Sequence, residues 1–210
     1  MRFKLLDVRQ SFMCYWTPEP FPTGNDPTPY YSGTYLLTPD SKLQYYSDDN
    51  KTLLPKKLPA KAELEKICTK LFSEKWGKKG PAVQKATTMM GKVFFRDGDT
   101  KPDYDGFPGT FFISSRSKVR PSYFDQNKQP ISEDQGVLFS GVYVNVTLEA
   151  YAYTKGNNGL GCRLRGVQLL RTGEAFGGGG PPASDDEFDE IEAPDDDEGG
   201  VNDSRDSLMD

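Results

Sequence analysis

Three cations stand at alternate positions in SRSKVRPSYF: Arg116, Lys118 and Arg120, followed by Tyr123 and Phe124. In an extended segment alternate side chains share one side at roughly 6–7 Å intervals, close to the phosphate repeat of a single nucleic-acid strand. A second set lies in VLFSGVYVNVTLEAYAYT, where Val142, Val144, Val146, Leu148, Ala150 and Ala152 fall on one face of a strand. Tyr143, Tyr151 and Tyr153 then fall on the other. Arg163 and Arg165 share a face of the strand that follows. Rings among cations on a sheet suit single-stranded nucleic acid: a base stacks on a ring for roughly 1–3 kcal/mol while the cations meet phosphates. The blander reading is that tyrosine covers half-exposed sheets because of its β-propensity. YYSGTY adds Tyr30, Tyr31 and Tyr35. These occupy both faces of their strand, so some belong to the core and periodicity does not say which.

Other chemistries are poorly supplied. The 210 residues include no histidine, which removes the commonest general base and metal ligand. Cys14, Cys68 and Cys162 are far apart and odd in number, against a disulfide framework or zinc ribbon and for a reducing compartment. Asp97, Asp99, Asp103 and Asp105 could gather a divalent cation for a metal-dependent nuclease, but they do not follow a calcium-loop pattern and read better as a polar turn. GNNGLG at 156–161 lacks the Lys-Ser/Thr of a phosphate loop and sits between strands, so a mobile hairpin loop is expected. No enzyme, metal or cofactor is expected.

The elements that must position these residues are mostly strands. Residues 2–16 read as a strand with Leu6, Val8 and Phe12 on one face and Lys4 and Gln10 interrupting it. Five prolines in 17–29 argue against regular structure there. Residues 30–38 read as a second strand, and 39–50 as turn and loop. Residues 60–77 are the clearest helix, with Leu64, Ile67, Leu71 and Phe72 on one stripe and Gly77 as its stop. A short second helix is expected after GKKGP, strands at 92–99 and 107–120, and a hairpin over 142–171. No segment approaches 18 apolar residues and the N-terminus shows no signal pattern, so a soluble intracellular protein is expected.

Charge divides the chain. Up to Phe176 the balance is +7; from Gly177 onward it is −12, with Arg205 the single basic residue. The expected organisation is a folded body over 1–176 and a glycine hinge with a disordered acidic tail over 177–210. The body should attract polyanions, and the tail is a tethered polyanion that competes for the same surface. In Asp185, Asp186, Glu187, Phe188, Asp189, Glu190 and Ile191 two apolar residues, Phe188 and Ile191, sit among carboxylates and could anchor a partner or the tail's own docking.

Three stretches resemble the bacteriophage single-stranded DNA-binding proteins, a group once catalogued only as a domain of unknown function. They are DVRQSF with YYSGTYLLTPDSK, FPGTFFISSRSKVRPSYFD, and SGVYVNVTLEAYAYTKGNNGLGCRLRGVQLLRTGEAFGGG with the acidic tail. Together they span most of residues 7–192. The resemblance implies a mainly β protein, an OB-fold: a five-stranded Greek-key barrel, here with a helical insertion. It implies a non-enzymatic protein that coats single-stranded DNA with little sequence preference during phage replication or recombination in the host cytoplasm. The residues carried over are Tyr31, Tyr35, Arg116, Lys118, Arg120, Tyr143, Tyr151, Tyr153, Arg163 and Arg165. The tail would mask the DNA site and recruit replication proteins such as polymerase or helicase, and the protein could self-associate on DNA. One departure stands out. Some such tails end in an aromatic residue, whereas this chain ends Leu208-Met209-Asp210, so Phe188 would have to substitute. The rival reading from the residues is a protein-interaction module whose acidic tail mimics DNA.

Overall fold

The computed structural model describes residues 1–20, 27–155 and 157–177. The expectations for the tail after Gly177, Asp185 to Ile191 included, therefore lie outside the described residues. Among the described residues eight strands follow in chain order: β1 (Arg2–Pro20), β2 (Pro29–Tyr45), β3 (Leu58–Pro59), β4 (Phe95–Asp97), β5 (Phe111–Ser117), β6 (Ser122–Phe124), β7 (Tyr143–Tyr153) and β8 (Gly159–Arg171). Two helices, α1 (Ala60–Trp76) and α2 (Gly80–Met89), stand between β3 and β4.

Five of the strands close on themselves. β1 pairs antiparallel with β2, β2 with β5, β7 with β8, and β7 with β1. A parallel bridge from Arg116 to Arg163 joins β5 to β8 and completes the ring. Closure removes the open edges that would otherwise invite aggregation. The interior is filled from every strand: Phe3, Leu5 and Val8 of β1, Leu43 of β2, Ile113 of β5, Val144, Val146 and Leu148 of β7, Leu164 and Val167 of β8.

α1 adds Leu64, Ile67, Cys68 and Phe72 to the same core. Each fully buried side chain of this size stabilises the fold by about 1.5–3 kcal/mol. The helix ends where its spacing predicts, at Gly77, whose φ of 54° is a left-handed conformation that suits glycine. α2 matches the expected short second helix.

β1 departs from its predicted face. Phe3 and Leu5 are buried, Val8 and Gln10 follow them inward, and Phe12 is 45% exposed. The cause is two irregularities in the β1–β2 ladder, between Leu6 and Val8 and between Ser11 and Cys14. Asp7 (φ 54°) and Phe12 (φ 43°) sit at them in the left-handed region. Each inserted residue flips the side-chain alternation downstream of it. β1 and β2 also run further than expected. Glu19 pairs with Tyr30 and Pro20 with Pro29, so the proline-rich segment begins and ends as paired strand. β2 likewise continues through Pro39 to Tyr45.

A second, smaller apolar cluster lies on the other side of β2 and β5. Leu36, Phe107 and Phe112 are buried there, and Phe176 packs against them. The Phe176 N–H donates to the Ser140 carbonyl at 3.0 Å and the Arg9 guanidinium lies 4.1 Å from its ring centroid. The Gly177 N–H donates to Asp105 at 3.0 Å. The last described residues of the chain are thus fastened to the barrel.

Candidate nucleic-acid interface

β7 carries its tyrosines outward and β8 answers with glycines. In the register of the hairpin Tyr151 stands opposite Gly161 and Tyr153 opposite Gly159. A Cβ on Gly161 would lie 2.6 Å from Cζ of Tyr151, and one on Gly159 would run into the Tyr153 ring. The rings therefore lean across the hairpin over bare backbone. The glycines that read as a mobile loop at 156–161 serve, from Gly159 on, as paired strand residues beneath aromatic side chains.

Around Tyr151 the cations converge. Tyr30, Arg116, Lys118, Tyr151, Arg163 and Arg165 line a cleft of about 340 Å³. The Arg116 guanidinium lies 4.8 Å from the Tyr30 ring centroid and the Lys118 ammonium 5.6 Å from it. Arg163 lies 5.7 Å from the Tyr151 ring. Tyr153 adjoins the cleft, its ring centroid 6.5 Å from that of Tyr151. Burial raises the Tyr153 hydroxyl pKa, while the nearby positive charge of Arg116 pulls it down.

One carboxylate sits among these cations. Glu149 accepts hydrogen bonds from the Arg165 guanidinium, one of them 2.9 Å from Nε, and lies 3.5 Å from Arg163. Partial burial alone would raise its carboxyl pKa. The Arg165 hydrogen bond and charge, then Arg163, outweigh that and hold it below the ordinary range. Glu149 occupies the two arginines as a phosphate oxygen would.

The structure brings together Arg116, Lys118, Tyr151, Arg163 and Arg165, with Tyr153 beside them. It separates the others. Tyr35 is wholly buried, its hydroxyl 2.8 Å from that of Tyr15, so it is a core residue and no stacking surface. Tyr31 shares the inward parity of Gly33 and Tyr35 and is half-buried; the outward ring of YYSGTY is Tyr30. Arg120 follows the end of β5 at Ser117 and turns to Trp16, 5.5 Å from its ring. The alternation of Arg116, Lys118 and Arg120 thus holds for the first two only. Tyr143 lies on the outer face of β7 but eight residues from Tyr151, roughly 27 Å along the strand. There Arg171 stacks 3.7 Å from its ring and is itself paired to Asp7 at 2.6 Å.

Three of the four carboxylates, Asp97, Asp99 and Asp105, accept from backbone N–H groups. Asp97 accepts from the Asp99 N–H, Asp99 from the Gly109 N–H and Asp105 from the Gly177 N–H. They form the polar turn that the sequence suggests.

A closed barrel with the ring order β1-β2-β5-β8-β7, basic and aromatic on its outer wall, is an OB-fold. Within that class the family is specific. Residues 1–198 match the family described as Enterobacter phage Enc34, ssDNA-binding protein, and the chain belongs to it. The fold is similar to that of the single-stranded DNA-binding protein from bacteriophage Enc34, solved in complex with ssDNA. The two are 19% identical, the match covers 84% of this chain and 89% of that one, and the TM-score is 0.59. A C-terminal truncation of the Enc34 protein matches over 83% of this chain and 88% of its own, with 19% identity and a TM-score of 0.59. In sequence the chain is similar to putative protein p50 of Acyrthosiphon pisum secondary endosymbiont phage 1, 40% identical over 125 residues. That match covers 58% of this chain and 66% of the phage protein, just under two thirds of its length.

Proposed function

We propose that this protein coats single-stranded DNA during phage replication or recombination in the host cytoplasm, with little sequence preference and without catalysis. The observation that carries the reading is the cleft where Arg116, Lys118, Arg163 and Arg165 surround Tyr30 and Tyr151, in a member of a phage ssDNA-binding family. Cations on a backbone path and rings beneath bases supply affinity that reads no sequence. Stacking does not distinguish ribose from deoxyribose, so the preference for DNA rests on the family alone.

The acidic tail competes for this cleft and recruits replication proteins such as polymerase or helicase once DNA displaces it. Its starting point is fixed by Phe176 and Gly177. Residues 185–191 lie 8 to 14 positions beyond Gly177, and 14 residues of chain can span at most about 50 Å. That spans the length of β7, from the Tyr143 end to Tyr151.

The test is a fluorescence-anisotropy titration of labelled oligo(dT) with the full chain and with residues 1–177, at two salt concentrations. Expected are salt-sensitive binding by both and tighter binding by the truncated chain. Binding by neither form would overturn the reading and favour the protein-interaction module. Equal binding by the two would leave the coating role and remove the masking one.

A further inference from the structure

The outer face of β7 does not end at the cleft around Tyr151. Below Glu149 the same face presents Thr147 and Asn145, flanked by Lys4 of β1 and Gln168 of β8. Here a second cleft of about 370 Å³ opens, lined by Arg2, Lys4, Lys128 and Arg165 together with Phe124. Arg165 belongs to both clefts. The two are therefore one trough along the β7–β8 hairpin, with Glu149 at the junction.

We propose that this second cleft is a further binding site for the same single strand, which runs past Arg165 and around the barrel towards Lys4 and Lys128. The inference rests on the single-strand-binding reading given above and extends its path. Four observations carry it. Among the described residues no carboxylate lines the second cleft, although the chain is acidic overall. Its four cations come from three segments distant in sequence, Arg2 and Lys4 from β1, Lys128 from the loop after β6 and Arg165 from β8, which barrel closure gathers on one wall. The half-buried Lys4 ammonium has only the neutral Gln168 Oε1 as its hydrogen-bond acceptor, at 3.4 Å, and burial first, then the charges of Lys128 and Lys57, lower its pKa. Phe124 offers a ring 36% exposed beside them, and Thr147 and the amide nitrogen of Asn145, whose oxygen accepts from the Asp7 N–H, offer neutral groups for sugar or base edges. From Tyr151 to Asn145 is six residues of strand, about 20 Å. That is enough for roughly three nucleotides at the phosphate repeat matched by alternate strand residues.

The experiment is a double variant, Lys4→Gln with Lys128→Asn, in the full chain and in residues 1–177. Asparagine tolerates the left-handed backbone of Lys128, φ 64°. Binding is measured to oligo(dT) of about 5 and about 15 nucleotides, within the range of OB-fold site sizes, and to a duplex. Lys118→Gln serves as the control in the first cleft. The double variant should bind the long oligonucleotide about 10-fold more weakly, with a salt slope smaller by about 1.4 for two lost contacts, and leave the short one unchanged. Lys118→Gln should weaken both. An unchanged long oligonucleotide, equal losses on short and long, or a loss confined to duplex would overturn the inference. So would tighter binding seen only when the tail is present, which would make the cleft a tail dock. If the wild-type chain binds no oligonucleotide, the coating function itself falls, a result distinct from any of these.

Discussion

Two groups of tyrosines in this barrel carry the same side chain to opposite ends. Tyr15, Tyr35 and Tyr123 lie inside. The Tyr15 hydroxyl is 2.6 Å from Gln10 Oε1 and 2.8 Å from the Tyr35 hydroxyl, and Tyr123 donates to the Tyr15 carbonyl at 2.6 Å. Burial drives the Tyr15 and Tyr35 hydroxyls well above their ordinary pKa, so they remain neutral donors and acceptors. Tyr151 and Tyr153 lie outside, propped over Gly161 and Gly159 and ringed by arginine. What separates the groups is strand parity and the residue across the ladder. An inward ring needs a partner for its hydroxyl. An outward ring needs a gap in the next strand to lie in, and glycine is that gap.

The comparison breaks most sharply under truncation to alanine. Tyr35→Ala should destabilise the protein by about 3–5 kcal/mol, as large aromatic-to-alanine changes in cores do, read as a lowered urea midpoint. Tyr151→Ala should leave that midpoint within about 0.5 kcal/mol and weaken oligo(dT) binding by about 1–3 kcal/mol. A Tyr151→Ala protein that bound normally but melted early would place Tyr151 with the core group. Tyr35→Phe separates hydroxyl from ring. It keeps the volume and removes one side of the bond to Tyr15, at a cost of about 1 kcal/mol, with DNA affinity unchanged.

The sequence makes the hairpin legible because nothing interrupts the period of two in β7. Its inward set, Val144, Val146, Leu148 and Ala150, is buried as read. β1 is another matter. Its alternation is broken at Asp7 and Phe12, neither of them the glycine that usually marks a left-handed residue. Reading through those breaks puts Phe12 inside and Phe3 outside, the reverse of what the barrel does. Tyr35 was undecidable for a related reason, since YYSGTY has rings on both parities and only the pairing of β2 with β5 says which face is the interior. Prolines misled at 17–20 and 29 because the ladder there is at its end, where a missing N–H matters little. In the site, Arg116, Lys118, Arg163 and Arg165 were legible from local alternation. Arg2, Lys4 and Lys128 were not, because their neighbourhood exists only once β1 lies beside β7.

The glycine gap can be tested directly. Gly161→Ala places a methyl where the far end of the Tyr151 ring lies. The ring can swing away, so stability should change by less than about 1 kcal/mol. The stacking surface moves with it, and oligo(dT) affinity should fall by roughly 1 kcal/mol, less than for Tyr151→Ala. In a double variant the two losses should not add, because both act through one ring. Additive losses would mean that Gly161 matters for backbone approach to the strand and not for the ring.

The smallest effect, and the one with an unusual sign, belongs to Glu149. Its carboxylate is ionised at neutral pH and holds Arg163 and Arg165 in the path of the strand. A phosphate must displace it. Glu149→Gln should therefore tighten oligo(dT) binding, by about 3-fold, the scale of an exposed ion pair, and steepen the salt dependence. The pair also contributes a little to stability. Because the folded pKa is depressed, that contribution is present above the ordinary glutamate value of 4.5 and is lost as pH falls through the lower folded value. Wild type should thus melt slightly higher than the variant at pH 7, and the two should converge well below pH 4.5. Weaker binding by Glu149→Gln at every salt concentration would reverse the assignment. The carboxylate would then be what aims Arg163 and Arg165 at the strand, and the outer tyrosines would be served by a fixed cationic frame instead of one that DNA must release.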